Sequence, residues 1–207
     1  MDLFIESTAS LSNSTFQYSS EESFMIVPSQ TLIKVDFRDK LLEEEFSDEL
    51  DEDKFIKQVG HIYTHTFNLD YSKNELATLA DIYNQDLSYI SSFFFHEEGK
   101  ENLSFRYLFH IDEVFIEPEH RGYGYGIKAL AMFLQHFAWG ETVCCHPHPI
   151  RDLMKKYKYS AEKGELLLKK YWSKVGLEKY NKERNILWTD EWSMPNWLWK
   201  QIFAGED

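Results

Sequence analysis

The amino-acid composition changes twice along the stretch Val114-Phe115-Ile116-Glu117-Pro118-Glu119-His120-Arg121-Gly122-Tyr123-Gly124-Tyr125-Gly126. Its first residues are β-branched or aromatic, which predicts a strand that ends near the proline. Three glycines at alternate positions then predict a tight turn, and apolar residues at 127, 130, 131 and 134 predict a helix beyond it. A strand, a glycine-rich turn and a helix in this order expose backbone N–H groups at the positive end of the helix. Such a turn suits a phosphate or a pyrophosphate.

Two well-known phosphate-binding loops do not fit this turn. The dinucleotide-binding fingerprint Gly-x-Gly-x-x-Gly needs its third glycine one residue later than Gly126, and the P-loop needs a Gly-Lys-Ser or Gly-Lys-Thr ending that the turn lacks. The spacing that remains is Arg-x-x-Gly-x-Gly, formed by Arg121, Gly124 and Gly126. It follows a strand that ends in Val-x-Ile-x-Pro.

This spacing resembles motif A of the GNAT superfamily of acyl-CoA-dependent N-acetyltransferases. Two further segments are similar to the same family. Residues 143–149 (Val-Cys-Cys-His-Pro-His-Pro) look like a fifth strand followed by Pro-x-Pro, and residues 170–177 are similar to the Tyr-x-x-x-Gly-Phe that ends the family's last helix. The resemblance covers residues 31–190. It implies an α/β fold of the α+β kind, in which a central, mostly antiparallel mixed sheet is splayed between its fourth and fifth strands and flanked by helices.

Hydrophobic periodicity and turn residues predict the elements of this domain. The predicted strands are 31–37, 55–69, 76–83, 105–116, 142–146, 177–180 and 186–188, and the predicted helices are 38–53, 87–94, 126–138 and 166–175. We expect three parts in the chain. Residues 1–23 are a mobile or loosely packed extension, residues 24–190 are the acetyltransferase domain, and residues 191–207 are an aromatic tail packed on it.

Composition indicates a soluble protein with a sizeable core. The 207 residues are 43% hydrophobic and 16% aromatic, and no apolar stretch has the form of a signal peptide or a membrane span. Cys144 and Cys145 are adjacent and cannot form an ordinary disulfide with each other, so we expect a cytoplasmic protein. His146 and His148 follow them. The group lacks the paired, separated ligands of a structural zinc site, and we expect no metal.

The distribution of charge bears on the partners. A formal net charge of −13 argues against nucleic acid as a partner. Residues 1–60 contain 14 acidic and 5 basic residues, whereas residues 151–182 contain 10 basic and 4 acidic residues. Solvated surfaces explain both regions; alternatively, they form an acidic groove for an amine and a basic patch for the 3′-phosphate of coenzyme A. We expect a cationic amine acceptor, either a small molecule or a peptide, and no membrane partner; a homodimer stays open.

The resemblance implies acetyl-CoA as the co-substrate, with its pantetheine arm along the fourth strand and its pyrophosphate on the N–H groups of the glycine turn. A Cβ in place of the glycines would obstruct the approach of the pyrophosphate. The cofactor-binding residues that the resemblance implies are Val114, Phe115, Ile116, Arg121, Gly122, Tyr123, Gly124, Tyr125, Gly126 and Lys128.

Attack of an amine on a thioester needs a base, a polarised carbonyl and a proton for the departing thiolate. A backbone N–H near Phe115 or Ile116 is the expected donor to the carbonyl. The expected bases are Asp112 first and Glu113 second, with His110 acting through a water. Strand alternation places residues 110, 112, 114 and 116 on one face and residue 113 on the other, and a β-bulge would exchange these faces.

The proton donor departs from the family pattern. In many members a tyrosine four residues before the conserved glycine protonates the thiolate, and here that position holds Trp172, whose indole N–H is a far poorer acid. Tyr171 is the neighbouring candidate, although it points about 100° further around the helix. The asparagine often found one or two turns earlier is also missing, since its place is near Glu165.

Three functions remain open from the sequence. The first is an N-acetyltransferase that acts on a primary amine. The second is an acyl-CoA-binding or sensing protein with weak or no activity, for which Trp172 is the motive. The third is an interaction protein that uses the tryptophan-rich tail or the basic segment as a docking surface.

Overall fold

The computed structural model describes residues 3–9, 25–37, 55–97, 106–148 and 160–203. Within these ranges the chain forms one seven-stranded sheet with helices on both faces. The strands are β1 (Leu3–Ala9), β2 (Ile26–Asp36), β3 (Ile56–Asn68), β4 (Tyr107–Ile116), β5 (Thr142–Cys145), β6 (Lys179–Asn181) and β7 (Ile186–Thr189). The α-helices are α1 (Lys73–Tyr83), α2 (Gln85–Ser92), α3 (Tyr125–Phe137), α4 (Ala161–Ser173) and α5 (Asn196–Phe203). A π-helical turn, Phe93–Glu97, continues α2, and a 3-10 turn, Pro118–His120, precedes α3.

The sheet has the strand order β1-β2-β3-β4-β5-β7-β6. Every neighbouring pair is antiparallel except β4 and β5, which run parallel, so the expected mixed and mostly antiparallel α/β architecture is confirmed. Among the described residues, β5 pairs with β4 only from Leu108 to Ile111. Strand β4 continues to Ile116. The sheet therefore opens between β4 and β5 beyond Ile111.

Alternating side chains divide the core between the two faces of the sheet. On one face, Phe109 and Ile111 pack with α3 and with buried residues of α4 and α5, including Trp172 and Leu198. On the other face, Leu108 packs with α1, α2 and the π-helical turn. Both faces are therefore covered by helices, and the open end of the sheet lies between the two layers.

The strand predicted at 76–83 is wrong, because these residues belong to helix α1. Ser72 and Glu75 form a capping box, in which each side chain accepts a hydrogen bond from the backbone N–H of the other residue. Leu76, Leu79 and Ala80 are buried at helical spacing. The capping box and this spacing outweigh the β-favouring residues of the segment.

The other element predictions overlap the observed strands β2 to β7 and helices α2, α3 and α4, and are confirmed with boundary shifts. The helix predicted at 38–53 lies outside the described residues. Residues 3–9, within the segment expected to be an extension, pair antiparallel with β2 as an edge strand. Near the other end, Trp192 is buried and its Nε1 donates to the Val175 carbonyl at 2.8 Å, which fixes the start of the tail on the domain.

Strand β4 contains a β-bulge at Asp112. The consecutive β3 residues Tyr63 and Thr64 pair with Glu113 and Ile111. Asp112 lies between those two β4 residues and therefore has no partner in this register. One extra residue on one strand of a pair bends that strand and shifts the alternation of its side chains by one.

Because of the bulge, the prediction that residues 110, 112, 114 and 116 lie on one face of β4 is wrong. His110 lies on the same face as Glu113, since they pair with alternate residues of β3, and Ile111 lies on the other face with Val114 and Ile116. Simple alternation had placed residues 110, 114 and 116 together. The bulge separates the buried His110 from the wall that Val114 and Ile116 form.

Candidate functional site

A cavity of about 740 Å³ lies where β4 continues beyond the end of β5. Its walls come from β4 after the bulge, the glycine turn, the start of α3, the residues after β5, and α4. The sequence-predicted residues that line it are Asp112, Glu113, Val114, Ile116, Arg121, Gly122, Gly124, Tyr125, Gly126 and Tyr171. Segments far apart in the sequence therefore meet around one opening in the sheet.

Four of the predicted site residues lie outside the cavity lining. They are His110, Phe115, Tyr123 and Lys128. Phe115 faces the other side of the strand and stacks on His61 with 5.2 Å between ring centroids. Tyr123 is exposed and stacks on the Tyr125 ring at 5.6 Å. The structure does not bring these four to the cavity wall.

The three glycines of the turn do different things. Gly122 and Gly124 have φ angles of +91° and +79°, in the left-handed region that favours glycine, and a Cβ added at either would meet no atom within 4 Å. A Cβ at Gly126 would instead lie 2.7 Å from Tyr171 Oη and 3.3 Å from Ile116 Cγ1. Two glycines thus allow the turn and leave space above it, and the third allows α3 to pack closely against β4 and α4.

Helix α3 begins differently from three other helices of the fold. The side chains of Ser72, Asn84 and Ser160 accept hydrogen bonds from the first turns of α1, α2 and α4. Helix α3 begins at Gly124 with no side-chain cap and no acidic residue in its first turn. No side chain of the N-cap residue therefore covers the first turn of α3 at the cavity wall, where a helix start attracts anions.

Two side chains with a permanent positive charge, Arg121 and Lys174, line the cavity. Arg121 Nε donates to the Ile116 carbonyl at 2.7 Å, and its guanidinium lies over the Phe115 ring, 5.5 Å from the centroid. These contacts hold the turn against the end of β4. Lys174, just after α4, also lines the cavity and was missed by sequence reasoning, because only the packing of α4 against the opening brings it there.

Helix α4 presents Tyr171 and Trp172 in different ways. The Tyr171 hydroxyl lies beside Gly126, and burial raises the pKa of Tyr171 to about 12, so it keeps its proton at neutral pH. Trp172 also borders the cavity, but only 7% of it is exposed and its ring packs in the core. The register of α4 therefore presents the tyrosine hydroxyl to the start of α3.

The carboxylates of β4 lie in the cavity wall. Burial raises the pKa of the Asp112 carboxyl; His65 opposes this shift, and the charges of Asp86 and Glu113 add to it. Glu113 is partly exposed, and its Oε2 lies 3.3 Å from His61 Nε2, from which it can accept a hydrogen bond. Of these two carboxylates, Glu113 therefore has an ion-pair partner, and Asp112 at the bulge has none among the described residues.

A row of imidazoles crosses the sheet behind Asp112. His65 and His110 are cross-strand partners with ring centroids 6.2 Å apart, and the His146 ring lies 5.9 Å from His110. One buried nitrogen of each ring lacks a hydrogen-bond partner among the described residues. Sequence reasoning missed this row, because the pairing of His65 with His110 depends on the strand register. No group in the described part of the chain has the arrangement of a metal site.

Burial lowers the pKa of all three imidazoles, well below the usual range for His110 and to about 4 for His146. An unfolded chain with ordinary histidines binds more protons between about pH 4 and 6.5, so stability should fall as the pH drops through this window. The raised pKa of Asp112 acts in the opposite sense at lower pH.

We therefore expect the melting temperature of the protein to be clearly lower at about pH 5 than at about pH 7. The variant His110→Asn should reduce this difference, since it removes the most deeply buried imidazole. Melting curves of the two proteins at both pH values measure it. A pH dependence identical in the variant and the natural protein would contradict this prediction.

The chain can be compared with family models, with curated proteins and with solved structures. None of them matches. Among the described helices, none combines the length and apolar character needed to cross a membrane. Cys144 and Cys145 are both free and fully buried, and burial raises the pKa of both thiols, so neither offers a reactive thiolate.

Proposed function

We propose that this chain is an N-acetyltransferase of the GNAT type, which moves an acetyl group from acetyl-CoA to a primary amine by direct attack in a ternary complex. One observation carries the proposal. The sheet opens beyond Ile111, and the walls of the resulting cavity hold an uncapped helix start, a raised-pKa carboxylate and a protonated tyrosine.

The walls fit coenzyme A chemically. The edge of β4 beyond Ile111 offers backbone groups that β5 does not pair with, and these suit the amides of a pantetheine arm. The open space above Gly122 and Gly124 and the start of α3, which no side chain caps, suit a pyrophosphate. Bound acetyl-CoA would supply the thioester that the amine attacks.

The chain's own groups divide the proton chemistry between them. Asp112 accepts a proton from the acceptor nitrogen, and its raised pKa brings it closer to the working pH, as suits a general base. Tyr171 holds a proton at Oη beside the start of α3 and donates it to the leaving sulfur. The N–H groups of β4 near Phe115 and Ile116 polarise the carbonyl.

A thiol-release assay with acetyl-CoA and a panel of primary amines tests the proposal. We expect amine-dependent release of free thiol, with the acetyl group recovered on the amine nitrogen. Calorimetry with acetyl-CoA alone serves as the companion measurement. Binding without turnover would favour the second candidate, an acyl-CoA-binding or sensing protein, for which the packing of Trp172 at the usual acid position is the favouring observation.

Replacing Asp112 by asparagine should lower turnover at neutral pH by about 100-fold, within the range typical of a lost general base. The natural enzyme should lose activity as the pH falls through the raised pKa of Asp112, and the variant should lack this limb of the profile. The affinity for acetyl-CoA should not change. Glu113→Gln is the matched comparison on the same strand, and a larger loss in that variant would move the role of base to Glu113.

A further inference from the structure

The end of helix α3 and the length of helix α5 carry large aromatic side chains that remain exposed. Their exposed fractions run from 41% for Trp197 to 69% for Trp139. We call the five side chains of these two segments the aromatic surface: Phe137, Trp139, Trp197, Trp199 and Phe203. Single exposed apolar side chains are normal on a protein, whereas a large group of them indicates an interaction site.

The backbone holds the two segments of the aromatic surface side by side. The residues just after α3 pair with Trp192, which precedes α5 by four residues. The Gly140 N–H donates to the Trp192 carbonyl at 2.8 Å, and the Trp192 N–H donates to the Glu141 carbonyl at 2.9 Å. Helices α3 and α5 also contact each other. The end of α3 and the start of α5 are therefore neighbours on the same side of the sheet.

The core fixes both segments in place. Ala138 lies between the first two rings of the aromatic surface, and Leu198 lies between the next two. Both are fully buried in the same core cluster. The Trp199 and Phe203 rings pack on each other, with 4.5 Å between their centroids. Because the core holds the residue between each pair of rings, the aromatic surface is a fixed part of the domain.

The size of the aromatic surface matches one half of a homodimer interface. Aromatic side chains present about 150–250 Å² each, so five that are about half exposed offer roughly 500 Å² of apolar surface. An interface of standard size takes about 800 Å² from each partner, and about 65% of a homodimer interface is apolar. The aromatic surface therefore offers about the apolar area that one copy contributes to a homodimer.

Charge distinguishes between the occupants of such a surface. The chain contains 35 acidic residues and has a net charge of −13, yet neither α3 nor α5 contains an aspartate or a glutamate. Two copies of an acidic protein repel each other, so they approach most easily through a surface without carboxylates. A lipid surface instead favours several cations beside the apolar residues, and α5 contributes only Lys200. The charges therefore favour a second copy of this chain.

We propose that the aromatic surface is the contact between two copies of this chain in a symmetric dimer. The same side chains of the two copies face each other across a two-fold axis, as in most homodimers. None of the five rings lines the cavity. The dimer is therefore independent of the proposed function.

Sedimentation velocity of the natural chain tests the dimer. Interfaces of this size have dissociation constants from micromolar to picomolar, so the protein is measured from about 0.1 to 100 µM. We expect a dimer at the highest concentration. Tryptophan emission should shift to longer wavelength over the concentrations at which the dimer dissociates, because dissociation exposes rings that the dimer buries.

The variants Trp139→Ser and Trp199→Ser each remove one ring, from different segments of the aromatic surface. Each should raise the dissociation constant of the dimer by about 30-fold or more, as expected for a central aromatic residue of an interface. Each should keep the melting temperature of the monomer, because the replaced ring is exposed. Ile82→Ser is the matched control, since Ile82 is exposed on α1, which packs on the other face of the sheet.

Three results would overturn the dimer. The first is a natural chain that stays monomeric at the highest concentration. The second is a dimer that neither tryptophan variant weakens, or that Ile82→Ser weakens equally. The third is binding of the monomeric chain to vesicles of phosphatidylcholine and phosphatidylserine through the same two tryptophans, which would assign the aromatic surface to a lipid surface.

Discussion

Replacing Gly124 by valine is expected to weaken acetyl-CoA binding by about 100-fold or more, equivalent to about 2.7 kcal/mol. In the structure a Cβ at Gly124 would meet no protein atom within 4 Å, so the added side chain would project into open space at the cavity wall. In the proposed complex that space belongs to the pyrophosphate. The branched side chain would also screen the first N–H groups of α3, which no side chain caps.

Gly140→Val is the matched control for this variant. Gly140 has a φ of +77°, close to the +79° of Gly124, and its added Cβ would also meet nothing within 4 Å. Both variants therefore bear a similar backbone strain, of about 1–2 kcal/mol for a side chain in the left-handed region. Gly140 is not part of the cavity lining. Calorimetry should show the loss of affinity in Gly124→Val alone, and tight binding in that variant would remove the pyrophosphate from the turn.

Replacing Tyr171 by phenylalanine should lower kcat by about 100-fold while the affinity for acetyl-CoA stays the same. The ring would still fill its place beside Gly126, and only the proton at Oη would be lost. Burial raises the pKa of Tyr171 to about 12, so the acid form is fully populated at neutral and mildly alkaline pH. The loss should therefore be equal at about pH 7 and about pH 9.

Tyr180→Phe controls for the loss of a tyrosine hydroxyl elsewhere. Tyr180 lies on β6, binds Asn185 at 3.0 Å and does not line the cavity. Its variant should keep full turnover. Steady-state and single-turnover thiol release measure both variants. An unchanged kcat in Tyr171→Phe would assign the proton to another donor and would leave Tyr171 as a wall residue.

Two segments, residues 76–83 and the part of β4 around Asp112, have structures that differ from the sequence predictions, and each has its own physical reason. Residues 76–83 contain β-favouring side chains, yet Ser72 and Glu75 close a capping box and the buried positions follow helical spacing. That signal is present in the sequence, and in the folded chain it outweighs the β-favouring side chains. The bulge at Asp112 had no such signal, because an extra residue in one strand shows only when its partner strand is aligned with it.

The sequence by itself determined the strand, the glycine turn and the helix start around Gly124. These features depend on adjacent residues, since a positive φ near +80° favours glycine and an uncapped helix start requires only the absence of a capping side chain. Only the tertiary structure decided which side chains meet. The bulge separates His110 from Val114, the register places His65 beside His110, and the packing of α4 presents Tyr171 to Gly126. Contacts between distant segments depend on strand register and helix orientation, which packing of the whole core fixes.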